Sequence, residues 1–299
     1  MKAAIVTGAN GFIGRELIRK LIENKTERII AIDIAFSGSE VLENPAVIKI
    51  QSDLSDMETL LRSVPVQDYD AFYHLAWRGV NGSEKADPLI QLENEKIVLR
   101  CAAAAKQMNC KKFLCAGTIA EQSVHSLTDL TSASGGMMYG AAKYCTQIML
   151  ETYCKNIQQD FVWMQFSNIY GPNNKTGNLV SYTISQLKNN QEATFGPAVQ
   201  PYDFIYVDDL IEAVYRLGNS AVRYNQYFIG SGEPRLLKDY LLEIGCVFGK
   251  EELIRIGVRP DDGIKYTMDM FDTSRLAADI GEYTSMSFSE AIRYTIENY

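Results

Sequence analysis

Two hydrophobic rhythms alternate along the first half of the chain. "AAIVTG", "RIIAIDI", "AFYHLA", "KKFLCAG" and "DFVWMQFSNIYG" are short runs, apolar almost throughout, and read as strands. Between them, "GRELIRKLIEN", "DMETLLRSV", "PLIQLENEKIVLRCAAAAKQM" and "MYGAAKYCTQIMLETYCKN" read as helices, with apolar residues at three- and four-residue intervals. A strand that is apolar on both faces must be covered on both faces. Alternating with helices, such strands predict an α/β fold, a Rossmann-type doubly wound parallel sheet.

The rhythm loosens after Gly171. "GPNNKTGN" is rich in turn formers, and "LVSYTISQLKNN" reads as a helix. "YDFIYVDDLIEAVYRLGN" reads as a strand entering a helix and "QYFIGSG" as a strand. Both strands are expected to rejoin the first sheet. The domain expectation is a dinucleotide-binding domain of residues 1–166 plus 205–232. A smaller, interleaved C-terminal substrate lobe would take 167–204 plus 233–299. No repeat or low-complexity tract interrupts the chain.

Composition narrows the classes. A net charge of −8 and a pI near 5.0 argue against a protein that reads a nucleic-acid backbone. No run of about eighteen apolar residues predicts a membrane span. The first apolar run is too short for a secretory signal, so a cytoplasmic protein is expected. The six cysteines form no C-x-x-C pair and there are only two histidines. That predicts no metal site and reduced cysteines acting as small buried hydrophobes.

"TGANGFIG" lies between the first strand and the first helix. Gly8 would allow the tight turn, Gly11 the approach of a pyrophosphate, and Gly14 close packing of helix on sheet. Asp33 ends the next strand, at the distance where an acid accepts hydrogen bonds from an adenosine ribose and repels a 2′-phosphate. No Arg or Lys follows closely in "IAFSGSE", so NAD is expected over NADP. Asp53 in "QSDLSD" has two readings, a residue facing the adenine or a cap of the next helix.

Thr118 ends the strand "KKFLCAGT", and ligands bind at the carboxyl ends of such strands. After the loop "TSASGGMM", Tyr139 and Lys143 stand four apart on one helix face. A tyrosine near pKa 10 is a poor base at neutral pH, and a neighbouring ammonium with a positive nicotinamide would favour its phenolate. The pair could then exchange a proton with a sugar hydroxyl or ketone, with Thr118 holding the same oxygen.

On these motifs the chain resembles the extended short-chain dehydrogenase/reductases, the NAD-dependent epimerase/dehydratase family. "TGANGFIG" resembles the family's T-G-x-x-G-x-x-G loop, which assigns Gly8, Asn10, Gly11, Phe12, Ile13 and Gly14 to the cofactor. "SDL" and "YHLAW" are similar to its adenine- and nicotinamide-side strand ends, adding Asp53, Leu54, Leu75, Ala76 and Trp77. Asn94 matches an asparagine behind the active site, and "YGAAK" resembles Y-x-x-x-K. "FSNIYGP" resembles R-x-x-N-V-Y-G-P, bringing Phe166 to the cofactor and Asn168 to the substrate. "YDFIYVDDL" resembles R-D-F-I-H-V-D-D.

The resemblance implies a nucleotide diphosphate sugar as substrate, handled first at the hydroxyl on carbon 4. It places Asn178 and Leu179 near the diphosphate, Thr194 and Phe195 at the base, and Arg259 on the diphosphate, where a planar guanidinium fits well. A solvated surface charge is the other reading of Arg259. It also implies a homodimer through a four-helix bundle made by the helices near 90–108 and 140–156. Two family arginines are replaced, by Gln165 and Tyr202, and "HLAW" stands for "HLAA". Trp77 and Arg78 thus either reshape the sugar pocket or, for Trp77, simply wall it. The family's 4,6-dehydratases carry an acid pair directly after the active-site threonine. Here Ile119 and Ala120 follow, and Glu121 is out of position. A 4-ketoreductase and a 4-epimerase remain, with a non-catalytic NAD(P)-binding sensor or scaffold as the alternative.

Overall fold

Side chains of β1 (Ala3–Thr7) alternate between two cores: Ala4 and Val6 bury on one side of the sheet, Ala3 and Ile5 on the other. β2 (Arg28–Asp33) repeats this with Ile29 and Ala31 against Ile30 and Ile32. That two-sided burial is what an unbroken apolar strand requires. The computed structural model describes all residues except 126–134, 175–176, 262 and 264.

The remaining elements follow in chain order. After β1 come α1 (Phe12–Glu23) and β2, then β3 (Val47–Gln51), α2 (Met57–Ser63), β4 (Tyr69–His74) and α3 (Pro88–Gln107). β5 (Cys110–Thr118), α4 (Ala120–His125), α5 (Gly135–Ile157) and β6 (Asp160–Phe166) complete the first half. The second half holds β7 (Asn168–Tyr170), α6 (Leu179–Lys188), β8 (Ala193–Thr194), β9 (Pro201–Tyr202), β10 (Phe204–Tyr206) and α7 (Val207–Asn219). It ends with β11 (Gln226–Ile229), β12 (Arg235–Leu236), α8 (Leu237–Phe248), β13 (Ile254–Arg255), α9 (Ser274–Ile280) and α10 (Phe288–Glu297).

Seven parallel strands form the central sheet, in the order β11-β6-β5-β4-β1-β2-β3. Chain direction across the sheet reverses between β1 and β4. That opens a crevice at their carboxyl ends, where this fold class takes its ligands. α1 and α7 pack together with the core on one face, and α3 and α5 pack on the other. Asp87 caps α3 by accepting from Leu89 N and Ile90 N, and Pro88 stands in the first turn, so α3 starts sharply after the β4 loop.

Three expectations need correction. β11 rejoins the central sheet, but β10 pairs in parallel with β7 in a separate two-stranded sheet. A three-residue strand that runs straight into α7 has its partner decided by the connection, not by its apolar pattern. α5 begins at Gly135, four residues before Tyr139, so the two glycines and Met137 and Met138 are helical. Residues 131–134 of the expected loop lie outside the described residues. Finally, Cys101, Cys110, Cys115 and Cys154 are buried, whereas Cys145 and Cys246 are exposed; all six are free. Cys145 lies on the outer face of α5 and Cys246 on that of α8, where the helical period turns them away from the core.

Candidate active site

The glycine loop is shaped by close backbone approach. Gly8 has φ +68°, and a Cβ there would lie 2.8 Å from Ala76 N at the end of β4. At Gly14 a Cβ would lie 2.1 Å from Gly8 O. Gly11 caps α1 without a side-chain bond to it, so the amides of the first helical turn remain available to an anion. The cradle therefore fits a dinucleotide pyrophosphate. Asp33 receives Asn10 N at 2.8 Å and Ile34 N at 2.8 Å, which ties the strand end to the loop. Phe12 and Ile13 open α1 and pack partly buried against the core.

Asp53 does not cap α2. The cap is Asp56, which accepts from Thr59 N at 3.1 Å, while Asp53 accepts from Ser55 N at 2.8 Å within its own turn. Leu54 packs partly buried against the second core. Leu75 N bonds Thr7 O at 3.2 Å and Ala76 faces Gly8, so the end of β4 and the glycine loop form one edge. Phe166 is buried, and its carbonyl accepts from Ile119 N at 2.8 Å.

Asn94 on α3 clamps the loop after β4: its Oδ1 accepts from Arg78 N at 2.9 Å and its Nδ2 donates to Arg78 O at 2.7 Å. Gln91, one turn earlier, accepts from Trp77 Nε1 at 2.8 Å and donates to Gly79 O at 3.1 Å. These bonds set Trp77 edge-on to Tyr139, with ring centroids 6.1 Å apart. Trp77 is thus a wall of the tyrosine site.

Tyr139 and Lys143 occupy one face of α5 beside the end of β5. Lys143 is 3% exposed; its Nζ donates to Ala116 O at 2.6 Å and lies 3.6 Å from the centre of the Trp77 ring. Burial lowers its pKa to about 8, against the pull of Cys115 and Glu121. Tyr139 is half-buried and stands beside the Thr118 side chain. Burial raises its pKa and Glu121 raises it further, while the Thr118 hydroxyl lowers it. The expected phenolate is therefore not the resting form here. The reason is first the burial of the phenol and then the buried carboxylate of Glu121, neither of which the spacing of Tyr and Lys reveals. Thr118 Oγ1 also accepts from Ala120 N at 3.3 Å.

Around the second lobe, Asn168 Oδ1 accepts from Tyr202 OH at 3.0 Å and its Nδ2 donates to Asp203 O at 3.0 Å. Tyr202, standing where the family motif has arginine, thus acts directly on Asn168. Asn178 caps α6, accepting from Ser181 N at 2.9 Å, and Leu179 opens that helix. Arg259 is exposed but held: Nε donates to Thr194 Oγ1 at 2.8 Å and a terminal nitrogen to Tyr182 OH at 2.7 Å. A freely solvated charge is not what the structure has. Phe195 is buried edge-on to Tyr182 at 5.8 Å, and its carbonyl receives Arg259 N at 3.0 Å.

Sequence reasoning missed Tyr182, Gln91 and Arg15. Arg15 reaches from α1 to Asn10 Oδ1 at 2.7 Å and Ser37 Oγ at 3.0 Å, at the rim of the cofactor cradle. Arg15, one residue past Gly14, had a local signal; Gln91 and Tyr182 had none, because their partners lie 6 to 77 residues away across loops and between elements.

A parallel sheet reversing at β1 and β4, with a glycine cradle at its first helix, defines the Rossmann class of dinucleotide-binding folds. Residues 4–230 match the NAD dependent epimerase/dehydratase family, and the chain belongs to that family of nucleotide-sugar-modifying enzymes. Among curated relatives, a putative UDP-glucose 4-epimerase of Methanocaldococcus jannaschii is 24% identical over 218 residues, covering 70% of this chain and 71% of that protein. A dTDP-glucose 4,6-dehydratase of Neisseria meningitidis is 22% identical over 342 residues, covering 100% and 93%. The solved UDP-glucose 4-epimerase of Thermotoga maritima, determined with UDP-glucose, superposes with a TM-score of 0.82 at 21% identity, covering 99% and 98%. That likeness is one of fold.

Proposed function

We propose that the protein is an NAD-dependent oxidoreductase acting at carbon 4 of a nucleotide diphosphate sugar, as a 4-ketoreductase or a 4-epimerase. The observation that carries this is the convergence of Tyr139 and the buried Lys143, one turn apart on α5, on the carboxyl end of β5, where Lys143 Nζ donates to Ala116 O and both residues meet the Trp77 ring. Gly8, Asn10, Gly11 and Gly14 would hold the pyrophosphate of NAD and Asp33 its adenosine ribose, and the bound cofactor supplies hydride exchange. Tyr139 gives or takes the proton of the oxygen on carbon 4. Thr118 holds that oxygen in line, and Lys143 keeps a positive charge nearby. Arg259, with Thr194 and Tyr182, offers a donor fork for the diphosphate side.

A 4,6-dehydratase is disfavoured. Elimination across carbons 5 and 6 needs an acid and a base after Thr118, and Ile119 and Ala120 exchange no proton. We further propose a homodimer through α3 and α5. Leu99, Ile148, Met149 and Tyr153 line an apolar hollow on their outer faces, and Ile148 is 49% exposed.

The test follows NADH absorbance as the purified protein meets a 4-keto-6-deoxy nucleotide sugar. Stoichiometric NADH loss with a new hydroxyl at carbon 4 assigns a ketoreductase. No loss, with NAD already bound, points to epimerisation of nucleotide hexoses. Y139F should cut turnover by about 10²- to 10⁴-fold with NAD binding retained. An unchanged rate in Y139F would refute the assignment of Tyr139. A biological role untouched by Y139F in a protein without turnover would favour the sensor reading.

A further inference from the structure

Next to the Thr118–Tyr139 pair lies a carboxylate with 0% exposure, that of Glu121. Its Oε1 accepts from Thr118 N at 2.6 Å, and its Oε2 accepts from Trp163 Nε1 and Gln165 Nε2, both at 2.9 Å. All three partners are donors. That pattern suits an ionised carboxylate, because a protonated carboxyl would turn its own O–H on one of them; burial pushes the Glu121 pKa up to about 7 against these bonds, so the charge is in place above that pH. Gln165 is oriented in turn by Gln122, whose Nε2 donates to Gln165 Oε1 at 3.0 Å. Gly117 leaves the room: a Cβ there would lie 2.3 Å from Trp163 Nε1 and 2.8 Å from Glu121 Oε1.

The titratable and charged groups around this carboxylate and Tyr139 come from every neighbouring element. His74 on β4 and Cys115 on β5 are buried, and Lys143 approaches from α5. Lys85, in the turn between β4 and α3, places its Nζ 5.2 Å from the Tyr139 ring centre. Lys143 points at Ala116 O and the Trp77 face. Lys143 and Glu121 interact through space without a direct ion pair, and an anion at Tyr139 would form against the negative Glu121 in a poorly screened interior.

We propose that Glu121 is a positioning residue of the catalytic set: it ties the Thr118 backbone to β6 and keeps a negative charge beside Tyr139, so that the tyrosine rests as a phenol and the site is poised to hand a proton to a carbonyl. This rests on the proposed role of Tyr139 as the acid–base group. In that direction the hydroxyl proton of Tyr139 goes to the carbonyl oxygen while the carbonyl carbon takes the hydride of NADH. The phenolate left behind regains its proton from water.

The test is E121Q, which removes the charge and keeps the size. Tyr139 ionisation is read by NMR of ring-labelled tyrosine in the full chain, with its resonance assigned by Y139F. Ketone reduction is measured against pH in parallel. E121Q is expected to raise the phenolate-to-phenol ratio of Tyr139 at least tenfold at a given alkaline pH, and to move the basic limb of reduction down by one unit or more. A purely structural role would lower turnover at every pH and leave the Tyr139 midpoint in place. That result, or no phenolate in either protein up to the alkaline limit of the fold, overturns the proposal. If melting shows E121Q unfolded, E121M is read in the same way, and a wild-type Tyr139 midpoint below about 10, the free tyrosine value, contradicts the proposal. Should neither protein turn over any nucleotide sugar, the proposed function fails while the titration still decides the role of Glu121.

Discussion

Gly14→Ala tests the cofactor cradle through packing alone. A Cβ at 14 would sit 2.1 Å from Gly8 O, 2.8 Å from Ala9 Cα and 2.9 Å from Gly8 C. A comfortable contact is about 3.5 Å, so α1 and the loop must separate by about 1.4 Å. All three neighbours are backbone, and Gly8 O already accepts from Gly11 N at 3.1 Å, so no side chain can yield. Overpacking of this kind costs about 1–3 kcal/mol, and we expect the upper end. With an unfolding entropy of about 2.1 cal/mol/K per residue, 3 kcal/mol lowers Tm by about 5 °C in a chain of this size. Gly38→Ala is the internal control: a Cβ there meets nothing within 4 Å and its φ is not positive. It should stabilise slightly, by about 0.4–1 kcal/mol, through the unfolded state. Thermal melts by circular dichroism, without NAD, compare the three proteins, and calorimetry measures NAD affinity. G14A should also bind NAD at least about tenfold more weakly, because the helix N-terminus moves away from the phosphates. Melting of G14A within a degree of wild type, or an equal fall in G38A, would refute the reasoning.

Three further outcomes are expected. Lys143 has its folded pKa lowered to about 8 from the usual 10.5 by burial. Between those values the unfolded chain holds a proton the fold lacks, so stability rises with pH across that window, and K143M should flatten the rise. Urea unfolding at pH 8, 9 and 10 checks it, and equal slopes in both proteins would count against a buried Lys143. Of the two tryptophans, Trp77 borders Tyr139 and Trp163 has 0% exposure. NAD should therefore change the fluorescence of wild type and W163F but not of W77F; a change that survives in W77F removes Trp77 from the nicotinamide side. I148E should convert the proposed dimer to a monomer in sedimentation, and a wild-type protein already monomeric at about 10 μM would dispose of the α3–α5 interface.

Much of the scaffold is local enough to be legible along the chain. The glycine loop, Asp33 at the end of β2 and the Tyr139–Lys143 spacing each express a constraint within one turn or one strand–helix unit. The apolar strands and amphipathic helices likewise report their own burial. Strand partners were harder: β3, with only Ile50 buried, gave little signal, and β10 chose β7 over the central sheet. Two-residue strands such as β8, β9, β12 and β13 carry no period to detect.

The chain by itself determined the class of fold, the glycine turn at the first helix and the placing of Tyr139 and Lys143 on one helix face, because sterics at glycine and side-chain period act over a few residues. Only the tertiary structure decided what surrounds those two side chains. Glu121 meets Trp163 and Gln165 across 42 and 44 residues, and Arg259 meets Tyr182 across 77. Desolvation and Coulomb interaction depend on what surrounds a group in space, and no spacing along the chain encodes that.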